Sequence, residues 1–465
     1  MAQAPDNELP KRWPLVVDLE NRDTSTAKDA RLVNAYVEKT KNPGEFWLFK
    51  RPGLLEYANI GGNGFGVYNW LGNIYSVFGS TIYKDGVSKG TVDATGGVYR
   101  FSQSLGGTPK LQLGNGVKAY NYDDSGGLVL INDADFPSTF VKGWGYLNGT
   151  TYVGRSNAGI QGSEINDTTA WDPLNVLTAQ IEPDAAIALA KQLVYVIMLK
   201  QWSVESFYDA GNSTGSPLGR VEGAKVSLGC AHQDTVRDLD GALIWASTTR
   251  FSAYQVALME NLKARVISSD AVERLLLHPD TSQGVFSWAT RIGGHKFYVL
   301  TLKANNLTLV YDVSEDRWAQ WVDKDGNYFP IVDSTYDSSG NRIVQHETNG
   351  KLYKLDPSYF NDANDLIQVD IYTPNFDAGV RVNKYLAWMR FVGDQVPGSI
   401  MQVRVNDDDY DPTRWSNFRS VDLSLKHPTL DNCGTFKRRA LNLRHRSNTA
   451  FRLQAADLAL SLGPI

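Results

Sequence analysis

Seven stretches of alternating apolar and polar residues, each cut by Gly-containing tight turns, constrain this chain more than any other feature. A period of two places successive side chains on opposite faces, so each stretch reads as antiparallel strands joined by hairpins. They are Gly66–Gly86, Val98–Asp123, Gly143–Asn157, Gln192–Gly211, Asp238–Val256, Phe286–Trp321 and Ile331–Asp356. Within the first two, Gly72-Asn73, Gly79-Ser80, Gly106-Gly107 and Asn115-Gly116 supply the turns.

Several units share a phrase in which an apolar strand ends in Tyr and an acid. It occurs as Ile82-Tyr83-Lys84-Asp85, Tyr120-Asn121-Tyr122-Asp123, Phe207-Tyr208-Asp209, Val310-Tyr311-Asp312 and Leu352-Tyr353-Lys354-Leu355-Asp356. The spacing is irregular, mostly about 40–50 residues, which is the period of propeller blades. A lone four-stranded sheet of that size leaves a face exposed, whereas radial stacking buries both. The expected fold class is all-β: a β-propeller of about seven irregular blades, with an N-terminal arm and a C-terminal antiparallel β-sandwich-like domain. An irregular sandwich or an array of smaller β-domains is the competing arrangement. The expected division is 1–55 for the irregular arm, 56–365 for the propeller and 366–465 for the C-terminal domain, where the blade phrase stops. Two segments break the β pattern. Ser268-Ser269-Asp270 followed by AVERLLL predicts a short helix, and Asp184–Lys191 has helix or turn propensity before a strand from Gln192.

Composition excludes several classes. With 11% aromatic residues and a net charge of −5, the chain has the apolar surface to offset ordering entropy. Cys230 and Cys433 are too far apart in sequence to suggest a disulfide framework, which fits a reducing site of synthesis. The amino terminus, MAQAPDNELPKRWP, lacks the apolar run of a signal peptide, and Leu193–Leu199 is too short to span a bilayer. Mild acidity argues against a non-specific DNA binder, which needs a Lys/Arg surplus on one face.

No catalytic constellation stands out. Gly61–Gly66 has neither the GxGxxG spacing nor the following helix of a phosphate loop, so it reads as a turn. His232, His278, His295, His346, His427 and His445 lie at no metal-ligand spacing and read as surface or turn residues. No GxSxG elbow is present. Asp407–Asp411 and Asp323–Asn327 are Ca²⁺ candidates that fail the EF-hand pattern, leaving acidic hairpin turns as the plainer reading. Cofactors and metals are therefore expected to be none. One stretch, Asn432 to Ala456, contains no acid and carries Lys437, Arg438, Arg439, Arg444, Arg446 and Arg452. These six are the candidate contacts for phosphates or an acidic partner, with a solvated sheet face as the alternative.

In order along the chain stand RLVNAYVEK (Arg31–Lys39), KRPGL (Lys50–Leu54), GNIYSVFGSTIYK (Gly72–Lys84), WSVESFYDAG (Trp202–Gly211) and GAKVSLGCA (Gly223–Ala231). VISSDAVERLL (Val266–Leu276), RWSNFRSVDL (Arg414–Leu423) and FRLQAAD (Phe451–Asp457) follow. In these phrases the chain resembles the packaged-DNA-stabilisation, or tail-nozzle, proteins of short-tailed bacteriophages. The resemblance implies a propeller subunit, made in the host cytoplasm, that assembles as a homohexamer in the virion tail below the portal and its adaptor. It further implies a ring that retains packaged double-stranded DNA, conducts it on ejection without sequence-specific binding, and docks fibres, spikes or a needle. It brings no catalytic residues. A propeller glycosidase or a carbohydrate-binding adhesin acting on host surface polysaccharide is the alternative.

Overall fold

The computed structural model describes residues 11–15, 18–20, 29–41, 45–251, 254–277 and 279–463. Each of the seven repeating stretches forms the heart of one antiparallel sheet, and the seven sheets are the blades of a β-propeller. Blades 1 to 6 span 64–91, 100–130, 140–178, 186–220, 237–266 and 285–320. Blade 7 takes its three inner strands from 331–356 and its fourth strand from Gly53–Asn59, which pairs antiparallel with Lys351–Asp356. The ring is thus closed by a strand from the opposite end of the chain. Side chains of blade 7 seal the seam: Gln345 Oε1 accepts from Gly66 N at 2.6 Å and Asp333 Oδ2 from Val67 N at 3.1 Å. Of the Gly61–Gly66 segment read as a turn, Gly61–Asn63 lie in the loop that crosses this seam, and Gly64–Gly66 already belong to the first strand of blade 1.

The Tyr-acid phrase marks a fixed place in the blade. In all five units it falls on the third strand, and its acid organises the turn that follows or the neighbouring strand. Asp123, Asp209, Asp312 and Asp356 accept from the N–H two residues on at 2.9–3.0 Å, while Asp85 accepts from Ile74 N at 2.8 Å. The first four are Asx turns, in which a short carboxylate takes the place of a backbone acceptor.

Residues 31–50 differ from the expected irregular arm. They form three strands, Arg31–Val33, Ala35–Lys39 and Phe46–Lys50, because their apolar residues have sheets to join at both ends of the chain. Arg31–Val33 pairs with Val369–Tyr372 on one side and with the last strand of blade 6 on the other, at Val33 and Gln320. The sheet continues through Ala440–His445, Ile400–Asn406 and Arg419–Asp422. A second sheet runs Ala35–Lys39, Phe46–Lys50, Arg452–Leu462, Lys384–Gly393 and Thr429–Asp431. Leu32, Val37, Leu48, Ile371, Met389, Phe391, Val403, Leu443 and Leu453 share one core between the two sheets. The C-terminal sandwich therefore includes these three strands.

The predicted short helix is present at Asp270–Leu275, with Ser269 as its N-cap. Asp184–Lys191 is not helical: Ala186–Gln192 is the innermost strand of blade 4. Its alanines are buried on both faces between neighbouring blades, where packing overrides helix propensity. No helix among the described residues is long and apolar enough to cross a membrane.

Candidate functional site

The basic stretch and the acidic turn, read separately in the sequence, meet in the sandwich. Arg439 is buried and forks onto Asp407, with Nε–Oδ1 at 2.7 Å and Nη2–Oδ2 at 2.8 Å. It also donates to the carbonyls of Cys433 and Thr435. Arg438 pairs with Asp409 at 3.1 Å, Arg444 with the buried Asp370 at 2.9 Å, and Arg452 with Asp394 at 3.3 Å. Arg452 also lies over the Trp47 and Phe49 rings of the N-terminal segment, and Arg444 over Phe418. Lys437 and Arg446 are exposed and carry no carboxylate partner among the described residues. Four of the six predicted contacts are therefore held by the protein's own acids, and two face solvent.

Asp407 and Asp409 are engaged by arginines, and Asp411 caps the next turn through Thr413 N at 2.8 Å. Asp323 accepts from Asp325 N and Asn327 N, the geometry of an acidic hairpin turn. Among the described residues, no three His, Cys, Asp or Glu side chains converge as a metal would require. His278 lies outside the described residues. His232 caps a 3₁₀ turn, Gln233–Thr235, by accepting from Asp234 N. His346 accepts from Thr348 N and Asn349 N. His295 and His445 are buried, a placement that isolated histidines do not reveal in sequence.

The propeller axis carries a second charged cluster, which the sequence reading missed. Each blade's innermost strand begins at one face and ends at the other. Near the middle, Arg100 from blade 2 and Lys142 from blade 3 reach Asp234, at 3.4 Å and 2.8 Å. Arg237 from blade 5 reaches Asp333 of blade 7 at 3.0 Å, and donates to the carbonyls of Ser287 and Val332. The 3₁₀ turn that carries Asp234 is pinned to blade 6 by Tyr298 and Ser287, which donate to Thr235 O at 2.8 and 2.9 Å. Burial lowers the Lys142 ammonium pKa against the pull of Asp234. Burial, followed by the charge of Arg100, brings Arg237 down to about 10. Burial also lowers His232, keeping it neutral near pH 7. The one sequence signal for this cluster is a lone cation inside an apolar inner strand, as in Tyr99-Arg100-Phe101 and Val141-Lys142.

Above this plug, where the inner strands end, the axis opens into two adjoining cavities of about 230 and 450 Å³. Tyr68, Phe101 and Asp238 line both. The Tyr68 and Phe101 rings stack at 5.5 Å with an interplanar angle of 10°.

A seven-bladed propeller, latched by an N-terminal strand, sealed on its axis by ion pairs and joined to a β-sandwich, defines the class of protein. The family model described as "Bacteriophage P22 Gp10, beta-propeller" matches residues 23–359, and the chain belongs to that family. No curated protein matches the sequence. Among solved structures, a streptogramin B lyase is 9% identical with a TM-score of 0.42, covering 67% of this chain and 97% of its own. A catalytically inactive virginiamycin B lyase from Staphylococcus aureus, with quinupristin, is 10% identical with a TM-score of 0.43, covering 66% and 98%. The N-terminal domain of Nup159 is 10% identical with a TM-score of 0.38, covering 70% and 98%.

Proposed function

We propose that this chain is a structural protein of a short-tailed phage virion, the nozzle subunit that forms a ring below the portal and adaptor. The ring closes the tail channel, retains the packaged duplex, conducts it on ejection and docks fibres, spikes or a needle. The observation that carries this reading is membership of the phage propeller family over residues 23–359. The subunit acts by assembly rather than by catalysis, in the tail of a particle built in the host cytoplasm. Six copies, the number implied by the resemblance, use heterologous interfaces that close by rotation.

The axial plug bears on where DNA runs. A duplex whose major groove alone is about 12 Å wide has no passage through an axis crossed by Arg100, Lys142, Asp234 and Arg237. The channel in this reading lies between copies, around the ring axis. Internal pairing of Arg438, Arg439, Arg444 and Arg452 with acids suits a protein past which DNA slides, since unpaired cations add salt-dependent affinity. Lys437 and Arg446 are the remaining candidate contacts with an acidic neighbour. Mixing the purified chain with a portal–adaptor complex tests the reading. Co-sedimentation as a stoichiometric ring supports it, and a chain that stays monomeric and undocked overturns it.

A further inference from the structure

We infer that the axial cavity is a binding site for a carboxylate-bearing sugar. Charge gives the first argument. Of the charged residues that line the two cavities, Arg100, Arg237 and Lys191 stand against Asp333 and Asp238, while Lys142 and Asp234 pair with each other outside the lining. At the rim, Lys191 and Asp238 offset one another. One positive charge is left without a counter-charge inside a closed ring of blades, where an anion is held most strongly.

The second argument is an unused donor. Arg100 is 9% exposed, and its Nη2 is spent on the Asp234 carbonyl at 2.7 Å. Its Nη1 is buried and has no acceptor. Buried donors without partners are rare in native proteins and call for an explanation. The Arg100 side chain lines the smaller cavity, and a guanidinium in that position matches a carboxylate.

The walls specify what carries the carboxylate. Tyr68 and Phe101, stacked on one another, give one side an aromatic lining, with Trp144 and Tyr146 beside them. Such a surface packs the C–H face of a sugar ring. Gln103, Lys191 and Asp238 at the mouth offer both donors and acceptors, which hydroxyl groups require and a simple aliphatic acid does not. The combined space falls in the range of small-molecule sites, about 300–1,000 Å³. The site belongs to a single subunit and stands whether or not the chain forms a ring.

The test is titration of the full chain with D-glucuronate, D-glucose, acetate and inorganic phosphate, followed by calorimetry or saturation-transfer NMR. Glucuronate is expected to bind at least about tenfold tighter than glucose, which lacks the carboxylate, and tighter than acetate and phosphate, which lack a ring to pack on Tyr68 and Phe101. Arg100→Lys keeps a cation for Asp234 but removes the fork, and should weaken glucuronate by about tenfold. Tyr68→Leu, at the wall and away from the ion pairs, should weaken glucuronate and leave the melting temperature close to that of the parent chain. Phosphate or acetate binding as tightly as glucuronate would overturn the assignment to a sugar acid. Absence of saturable glucuronate binding, or affinity unchanged in both variants, would overturn the site.

Discussion

Arg51 shows how much one side chain can hold. Fully buried, it forks onto Asp362 at 2.9 and 2.5 Å, and donates to Asn34 and to the carbonyls of Pro52 and Val322. Its guanidinium lies 4.5 Å from the Phe329 ring centroid. One residue thus ties the latch strand, the sandwich and blades 6 and 7. Arg51→Met leaves Asp362 without its cation and should cost about 3–5 kcal/mol, measured by denaturant unfolding. His445 sets a pH dependence. Burial, then the charge of Lys50, pushes its imidazole down to about 3. Ser399 and Thr449 meet its Nε2 while Nδ1 has no partner. The unfolded chain protonates this histidine near pH 6.5 and the folded chain does not, so its contribution is complete above pH 6.5 and is lost as pH falls toward 3. Stability should drop by about 1 kcal/mol per pH unit from this group between pH 6 and 4. In His445→Gln that component of the slope should vanish from urea unfolding curves measured across the range.

Elements explain what the sequence could disclose. Seven alternating stretches predict seven blades because period two survives wherever each blade face packs on a neighbour. The Tyr-acid phrase is visible because its acid organises the turn after the third strand in four of the five units. Blades 3 and 5 lack the phrase because their third strands end in Ser163-Glu164 and Met259-Glu260, an acid without the Tyr. The arm was illegible for a physical reason: Arg31–Val33 and Phe46–Lys50 become strands by pairing with partners more than 300 residues away. The inner strand of blade 4 was masked by alanines that serve close blade-to-blade contact. Half of the basic stretch's meaning was legible, its positions and sign, but its neutralisation by Asp370, Asp394, Asp407 and Asp409 is a matter of tertiary register. Gly143 marks the tightest of the blade contacts. With φ at +104°, it makes the irregularity between Val141 and Gly145 where blade 3 meets blade 4 at Lys142 and Ala188. A Cβ there would stand 1.7 Å from Leu189 O, a backbone atom that cannot yield cheaply. Gly143→Ala should destabilise by about 3 kcal/mol or more, combining backbone strain with overpacking, as read from the shift of the urea midpoint.

At the scale of the molecule, the chain's two ends share the work of closure. Gly53–Asn59 completes blade 7, and the strands just before it build the sandwich with residues from 369 onward. Deleting residues 1–59 would leave blade 7 with an open edge and both sandwich sheets short of strands. The truncated chain should accumulate as aggregate, with soluble yield and melting temperature both far below those of the full chain. In the proposed nozzle, the closed axis and the internally neutralised basic stretch would both keep DNA away from the subunit's own centre. The central claim is that identical subunits surround the genome, and electron cryo-microscopy of the chain bound to a portal–adaptor complex tests it most directly. The account predicts a ring of six copies around an open central channel, every propeller axis closed by the Arg100, Lys142 and Asp234 cluster. A chain that docks as isolated monomers, or density for DNA threading a propeller axis, would contradict it.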